Sequence, residues 1–509
     1  MSAAGDLLIR GGRVLDLDGD IDQPAVADIL IRSGRIVMVG ADIAVDGATP
    51  MIDAAGYLVI PGLVNAHYHS HDVLLRGLFE QMPLDVWGFY SGPGNYPAAS
   101  AADVRLRTLL GAADCLVNGI TTVQDMVTVT GALGEQLDAA LAGYTDAGIR
   151  VSLGLQIADR VAAETVPYWN EIVGPVGARL RQPVEVSALK ALIEATIDTR
   201  PDDLLSWALA PSAPQRVSDE LLEWVAGLAH ERDVQVFTHV YEARNQAVMA
   251  RIGTAEGSLV ARLDRFGLLN PRLTIAHGVW IDDDEVARFG AAGANLACNP
   301  ASNLKLLNGF APIRRYIDSG AGVALGCDNC SGNDVQSLFQ SMKLFALYWG
   351  MQSDAGETGA ACQAFHAATL GGARALGLEG EVGALKPGYR GDAVLLDLSG
   401  APYRPLHSAL RQVVYAETGQ SIGAVVVNGR IVVRNGELTQ HPADALRDAA
   451  EEVRARMAPA IRDVAQRNAE LLKPLLAAYR RADGYPLPID RYRMPRPAYS
   501  ATACRSCND

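Results

Sequence analysis

The stretch Pro61-Gly62-Leu63-Val64-Asn65-Ala66-His67-Tyr68-His69 decides how the rest of the chain is read. Leu58 to Val64 is a short apolar run rich in β-branched residues, the pattern of a buried strand. It runs straight into His67 and His69. Side chains two apart on a strand leave on one face, so two imidazoles are spaced to hold one metal ion. A histidine pair at a strand end also occurs without a metal, so the weight falls on residues much further along the chain.

From Pro61 onward, apolar runs of strand length alternate with amphipathic segments of helical length, the sign of repeated βα units and a parallel sheet. The predicted barrel strands are Leu58–Asn65, Thr121–Asp125, Val151–Gln156, Leu205–Ala210, Val234–Thr238, Leu273–Ala276, Ala294–Ala297 and Val323–Gly326. Helices are predicted over Ala102–Val117, Asp219–Glu231 and Ala361–Leu376. Before the barrel, short β runs lie at Leu7–Arg10, Asp28–Ile31 and Arg35–Val39, separated by Gly11-Gly12 and Ser33-Gly34. After it, β texture returns at Ala393–Asp397 and Ala424–Asn428 and can pair with the N-terminal piece. Pro442 to Tyr479 has helical spacing, and Gly484 to Ser500 is rich in Pro and Tyr without periodicity. We read the first as a helix packed on the body or on a second subunit, and the second as an extended arm.

The chain has 509 residues, which suggests about three domains, although one (β/α) barrel can absorb most of such a length. Hydrophobic residues make up 49% of it, enough for a large core. The net charge of −14 and the lack of a basic stripe argue against nucleic acid. No apolar run approaches a membrane span, and the N-terminus carries no secretory pattern. Seven scattered cysteines fit free thiols in the cytoplasm better than a disulfide framework. Cys504 and Cys507 form a lone C-x-x-C that reads as part of a tail.

Further ligand candidates fall where a barrel gathers them, at the C-terminal ends of its strands. His239, His277 and Asp328 follow predicted strands five, six and eight. Imidazoles and one carboxylate, with a position left for water, make a catalytic rather than a structural site. Glu242, three residues past His239, is near enough to move protons on a substrate held there.

These segments, together with Gly119–Thr122, Asn299–Lys305 and Gly326–Asp334, resemble the amidohydrolase superfamily over roughly residues 5–440. The similarity is to the branch of cytosine, guanine and melamine deaminases and atrazine chlorohydrolase. Asp328-Asn329 and Asn333-Asp334 look most like the triazine-hydrolysing members. The resemblance implies an α/β fold: a distorted (β/α)8 TIM barrel over 61–379 and a small β-sandwich built from 1–60 and 380–440. Residues 441–509 would form a C-terminal helix and extended tail. It implies metal ligands His67, His69, His239 and Asp328, Glu242 as proton shuttle, and His277 as partner of the reacting water or the substrate. Members with two metals carry a bridging Lys or Glu at the end of strand four. Here that strand ends Ala210-Pro211-Ser212, so one divalent ion is expected, zinc first and iron second.

Two positions depart from the deaminase pattern, where many members carry His in place of Ser212 and Cys298. Both border the substrate, and the change counts against a nucleoside or purine. His71, Trp87, Tyr90, Gln156, Trp280, Asn303 and Asn329 are the candidates for substrate contacts. The expected reaction is hydrolytic release of ammonia or an amine from a small N-heterocycle or amidine-like compound. The alternatives are chloride displacement or urea, carbamate or amide cleavage on the same apparatus, and, more distantly, a non-catalytic scaffold. The Leu471, Leu472, Leu475 and Leu476 cluster suggests a homodimer or larger assembly in which a second subunit covers it.

Overall fold

The computed structural model describes residues 5–174, 176–177, 185–199, 202–354 and 356–493. Its central feature is a parallel sheet whose strands follow the chain from Leu63–His69 through Ile120–Val127, Arg150–Ile157, Leu205–Pro211, Val236–Val240, Leu273–His277 and Asn295–Cys298 to Gly322–Leu325. A short continuation, Asp328–Asn329, pairs with Leu63–His69 and brings the last strand back to the first. Gly326 permits this closure. A Cβ there would lie 2.2 Å from Asn299 Oδ1 and 2.8 Å from His67 Cβ. The next residue, Cys327, donates its N–H to the His67 carbonyl (3.2 Å) and to Asn65 Oδ1 (3.0 Å). Asp328 is thereby set beside His67 and His69.

The predicted first strand, Leu58–Asn65, divides in two. Tyr57–Pro61 joins a separate mixed sheet, and Leu63–His69 enters the barrel. Gly62 is the break, because a Cβ at this residue would sit 2.1 Å from Thr121 Oγ1. A run of apolar residues cannot reveal that its two halves serve two sheets. The predicted helix Ala361–Leu376 also divides, into Ala360–Ala367 and Leu370–Ala375, with Thr369 in a non-helical conformation between them. His239 and His277 belong to their strands rather than following them.

The mixed sheet draws on both ends of the chain. Leu7–Val14, Val26–Arg32, Arg35–Gly40, Met51–Asp53 and Tyr57–Pro61 share it with Ala393–Asp397, Ile422–Val427, Arg430–Arg434 and Glu437–Leu438. The seam is Tyr57–Pro61 antiparallel to Ala393–Asp397. Its core is its own, formed by Leu7, Ile9, Ile29, Ile31, Val59, Leu395 and Val426 among others. Arg150, on a barrel strand, reaches Asp392 beside this sheet at 3.2 Å in a buried ion pair.

The C-terminal helix runs over Ala443–Asp483 with Pro459 and Pro474 inside it. Leu471 and Leu475 are fully buried, but within the same chain, against Val86, Trp169 and Val173. Leu471 and Leu475 thus find cover without a second subunit, whereas Leu472 on the same helix stays 41% exposed. Cys504 and Cys507 lie outside the described residues. No helix among the described residues is long and apolar enough to cross a membrane.

Candidate active site

The barrel strands end on one rim, and four imidazoles and two carboxylates converge there. His67 and His69 leave the same face of Leu63–His69, with ring centroids 4.8 Å apart, and His239 lies 4.8 Å from His67. Asp328 Oδ1 is 3.3 Å from His67 Nε2 and 3.5 Å from His69 Nε2. His277 Nε2 lies 3.5 Å from Glu242 and 3.9 Å from Asp328. His277 (φ 73°) and Asp328 (φ 64°) are both in the left-handed region. Such strain in residues with a Cβ costs of order 1–3 kcal/mol and persists where the surroundings over-determine it.

The tautomers follow from the partners. His69 Nδ1 faces the Met126 carbonyl at 2.8 Å, and His239 Nδ1 faces the Ser212 carbonyl at 2.6 Å. A carbonyl only accepts, so both Nδ1 atoms carry the proton. Both Nε2 atoms then present lone pairs, and they face each other at 3.2 Å. Two lone pairs at that distance repel unless a cation lies between them. His67 Nε2, His277 Nε2 and Asp328 Oδ1 are likewise buried without a hydrogen-bond partner. The donor set is therefore that of a divalent cation site, with imidazole tautomers fixed from behind as metal-binding histidines require. Sequence alone could not show that Ser212 serves through its carbonyl.

Burial sets the charge states. It pushes the His67 imidazole down to about 4 and holds His71, His239 and His277 below their usual range, so the rings stay neutral and free to bind a cation. Burial also works against the Asp328 carboxylate, but contact with His67 and the positive charge that His277, His67 and His69 carry whenever they are protonated pull it well below the usual range. Glu242 goes the other way. Burial, with the nearby charge of Asp328, drives its carboxyl well above the ordinary value. Two carboxyl groups pushed apart in this way mark an acid and a base. Ser302 Oγ donates to Asp328 Oδ2 at 2.5 Å, and Asn308 Nδ2 donates to Glu242 Oε1 at 3.0 Å.

The cluster forms the floor of a cavity of about 760 Å³. His71, Trp87, Gln156 and Asn329 line it, as expected. Gln156 donates to Ser212 Oγ (3.0 Å), and Trp87 donates to Ser331 Oγ (3.1 Å). Three other candidates stand away from its wall. Asn303 lies behind His277, accepting from Nδ1 at 2.9 Å. Tyr90 turns its hydroxyl to the Asn468 carbonyl of the C-terminal helix. Trp280 is buried with its N–H on the Asn308 carbonyl. Asp85, Arg216 and Gln246 also line the cavity. Asp85 and Gln246 come from short helices, Leu84–Ser91 and Arg244–Gly253, and Arg216 from the single turn Pro214–Arg216, and none carries a spacing signal that would have singled it out.

The amidohydrolase family model matches residues 58–432, from the strand before His67 to the far side of the mixed sheet. The chain belongs to the amidohydrolase family. This member is 32% identical over 390 residues to a 5-methylthioadenosine/S-adenosylhomocysteine deaminase of Pyrococcus furiosus, covering 76% of this chain and 86% of that one. It is 33% identical over 389 residues to a 5'-deoxyadenosine deaminase of Methanoregula boonei, covering 76% and 82%. Among solved structures, an adenosine deaminase from Xanthomonas campestris with bound zinc superposes with a TM-score of 0.77 at 29% identity, covering 89% of this chain and 99% of that one. Like the family, the chain is a hydrolase acting on carbon–nitrogen bonds other than peptide bonds.

Proposed function

We propose that this amidohydrolase is a zinc-dependent deaminase of adenosine-type nucleosides altered at the 5' position, replacing the ring amino group by oxygen and releasing ammonia. The observation that carries the reading is the pair Glu242 and Asp328 placed 3.5 and 3.9 Å from His277 Nε2, the first carboxyl pushed above its ordinary range and the second below it. The departures at Ser212 and Cys298 counted against a purine nucleoside. The likeness to deaminases named for such nucleosides outweighs them.

One ion would be held by His67, His69, His239 and Asp328, since the end of strand four, Ala210-Pro211-Ser212, offers no bridging group. When bound, such an ion supplies Lewis acidity that makes water nucleophilic near neutral pH. Asp328 takes the proton of the attacking water, and His277, its tautomer set by Asn303, orients that water. Glu242 gives its proton to the ring nitrogen next to the carbon under attack. The proton that Asp328 took from the water passes to the amino group, which leaves as ammonia, and Glu242 regains its proton from the hydroxyl of the adduct as the ring carbonyl forms. Leu84, Phe89, Val129 and Leu189 give the cavity an apolar side suited to a 5' position without phosphate. The buried free thiols of Cys115, Cys298, Cys327 and Cys330 support a cytoplasmic setting.

The test is ammonia release from adenosine, 5-methylthioadenosine, 5'-deoxyadenosine and S-adenosylhomocysteine, beside melamine and a chlorotriazine, with metal content measured. We expect about one zinc per chain, as one tetrahedral site holds, and turnover of at least one nucleoside. Turnover of the triazines alone would overturn the assignment.

A further inference from the structure

Beyond the C-terminal helix, the segment Gly484–Arg493 has no regular secondary structure, and it lies outside the residues matched by the family. It is nonetheless bound to the loops around the proton donor. Arg244, two residues past Glu242 and buried, donates to the carbonyls of Ala482 and Tyr485, the latter at 2.5 Å. Phe310 N donates to the Arg491 carbonyl at 2.9 Å, and Arg491 Nη2 donates to the Ile281 carbonyl at 2.7 Å. The Tyr492 ring meets Trp280 edge-on at 4.9 Å.

These ties converge on one side chain. Asn308 donates to the Glu242 carboxyl, and its own carbonyl accepts from Trp280 Nε1 at 2.6 Å. The loop that carries Asn308 is conformationally costly. Leu307 (φ 57°) and Gly309 (φ 107°) are both left-handed, and a Cβ on Gly309 would lie 2.5 Å from the Arg491 carbonyl oxygen. A loop of that shape needs support from outside itself, and the support is Arg491 and Tyr492. The Glu242 loop is thus tied at two points, at Arg244 two residues along the chain and at Asn308 on the carboxyl itself, and both ties lead to the same terminal segment.

We propose that Gly484–Arg493 is a strap that positions the Glu242 proton donor, with Arg491, Tyr492 and Arg244 as its positioning residues. The assignment rests on the deaminase reading, in which Glu242 protonates the substrate. A misplacement of about 1 Å in a catalytic group can cost on the order of a hundredfold in rate, so the strap need not touch the substrate to govern turnover.

The test is the full-length Arg491→Ala/Tyr492→Ala protein beside Arg491→Lys and the parent. With a nucleoside substrate we expect kcat to fall about tenfold to a hundredfold, with KM within about threefold, since transition-state positioning rather than binding is lost. Zinc content stays at the parent value, and Arg491→Lys recovers most of the rate. Amide hydrogen exchange at residues 242–246 and 306–310 becomes faster, while the barrel strands keep their protection. An ammonia-release kcat within about twofold of the parent or unchanged exchange in those two loops would each overturn the proposal. A parent protein that deaminates no nucleoside overturns the deaminase reading instead. The exchange measurement still decides whether the strap holds the Asn308 loop.

Discussion

Glu242 and Asp328, the two carboxyls that face His277, are pushed in opposite directions by their surroundings. Glu242 lies beside His277 and receives one hydrogen bond, from Asn308, while burial and the charge of Asp328 favour its protonated form. Such an acid can serve a nitrogen that must be protonated before it leaves, and that service is typically worth about 10²–10⁴-fold. Glu242→Gln should therefore lower kcat by about two to four orders of magnitude while leaving zinc content and most substrate affinity intact. Metal analysis and steady-state kinetics of the variant check this. A rate within about threefold of the parent would remove Glu242 from the chemistry. The ligand candidates were readable as residues because each ends a strand, a position with a spacing signature. Asn308 had none. It is 66 residues from Glu242 and meets it only through a loop held by Trp280 and Arg491.

At the scale of elements, the passage from the mixed sheet to the barrel is confined to Gly62. The strands on either side, Tyr57–Pro61 and Leu63–His69, are buried almost throughout. Any Cβ between them would overlap the Thr121 side chain, which the neighbouring strand fixes in place. Gly62→Ala should destabilise the protein by about 1–3 kcal/mol, the usual cost of overpacking a rigid core. It should also reduce activity, because Leu63–His69 carries His67 and His69, two of the proposed ligands. Urea unfolding and zinc content measured together check it, and an unchanged midpoint would show that the strand yields more easily than its packing implies. The C-terminal helix makes the complementary point. Leu471 and Leu475 were legible as needing cover, but whether it came from a partner or from Val86 and Trp169 was not, because helical periodicity marks a face and not what meets it.

At the scale of the whole molecule, barrel and mixed sheet are joined by the Arg150–Asp392 pair, with side chains 6% and 2% exposed. Asp392 also accepts from the Asn428 N–H at 2.7 Å, so its charge is held on the sheet side while Arg150 neutralises it from the barrel. Arg150→Met leaves that carboxylate buried without its counter-charge and should cost about 3–5 kcal/mol. Thermal or urea unfolding at pH 7 measures it, and a loss below about 1 kcal/mol would place the pair among those that contribute little. The buried histidines set a second global property. His67 is pushed down to about 4, and His71, His239 and His277 are also depressed. Below about pH 6.5 the unfolded chain takes up protons that these folded rings refuse. Stability of the metal-free protein is therefore full above that pH and falls as pH drops towards 4. His67 alone contributes about 3 kcal/mol over that range. Unfolding of the metal-free protein from pH 7 to pH 4.5 reads the slope, and His67→Asn should make it shallower. A slope that the substitution leaves unchanged would assign the acid sensitivity elsewhere.

Sequence alone determined the alternation of strands and helices, the return of β structure at the far end, and the imidazoles and carboxylates at the strand ends. Each of these is a local pattern, written in residues a few positions apart. Tertiary structure alone decided where the Leu58–Asn65 run divides, since the reason is a threonine on a neighbouring strand. It decided that two Nε2 atoms face each other at 3.2 Å, because their tautomers depend on carbonyls of Met126 and Ser212. It also decided that the last described residues of the chain reach back to Arg244 and Phe310, in the loops around Glu242. Contacts between positions hundreds of residues apart are set by how the elements pack, and no pattern within either segment records them.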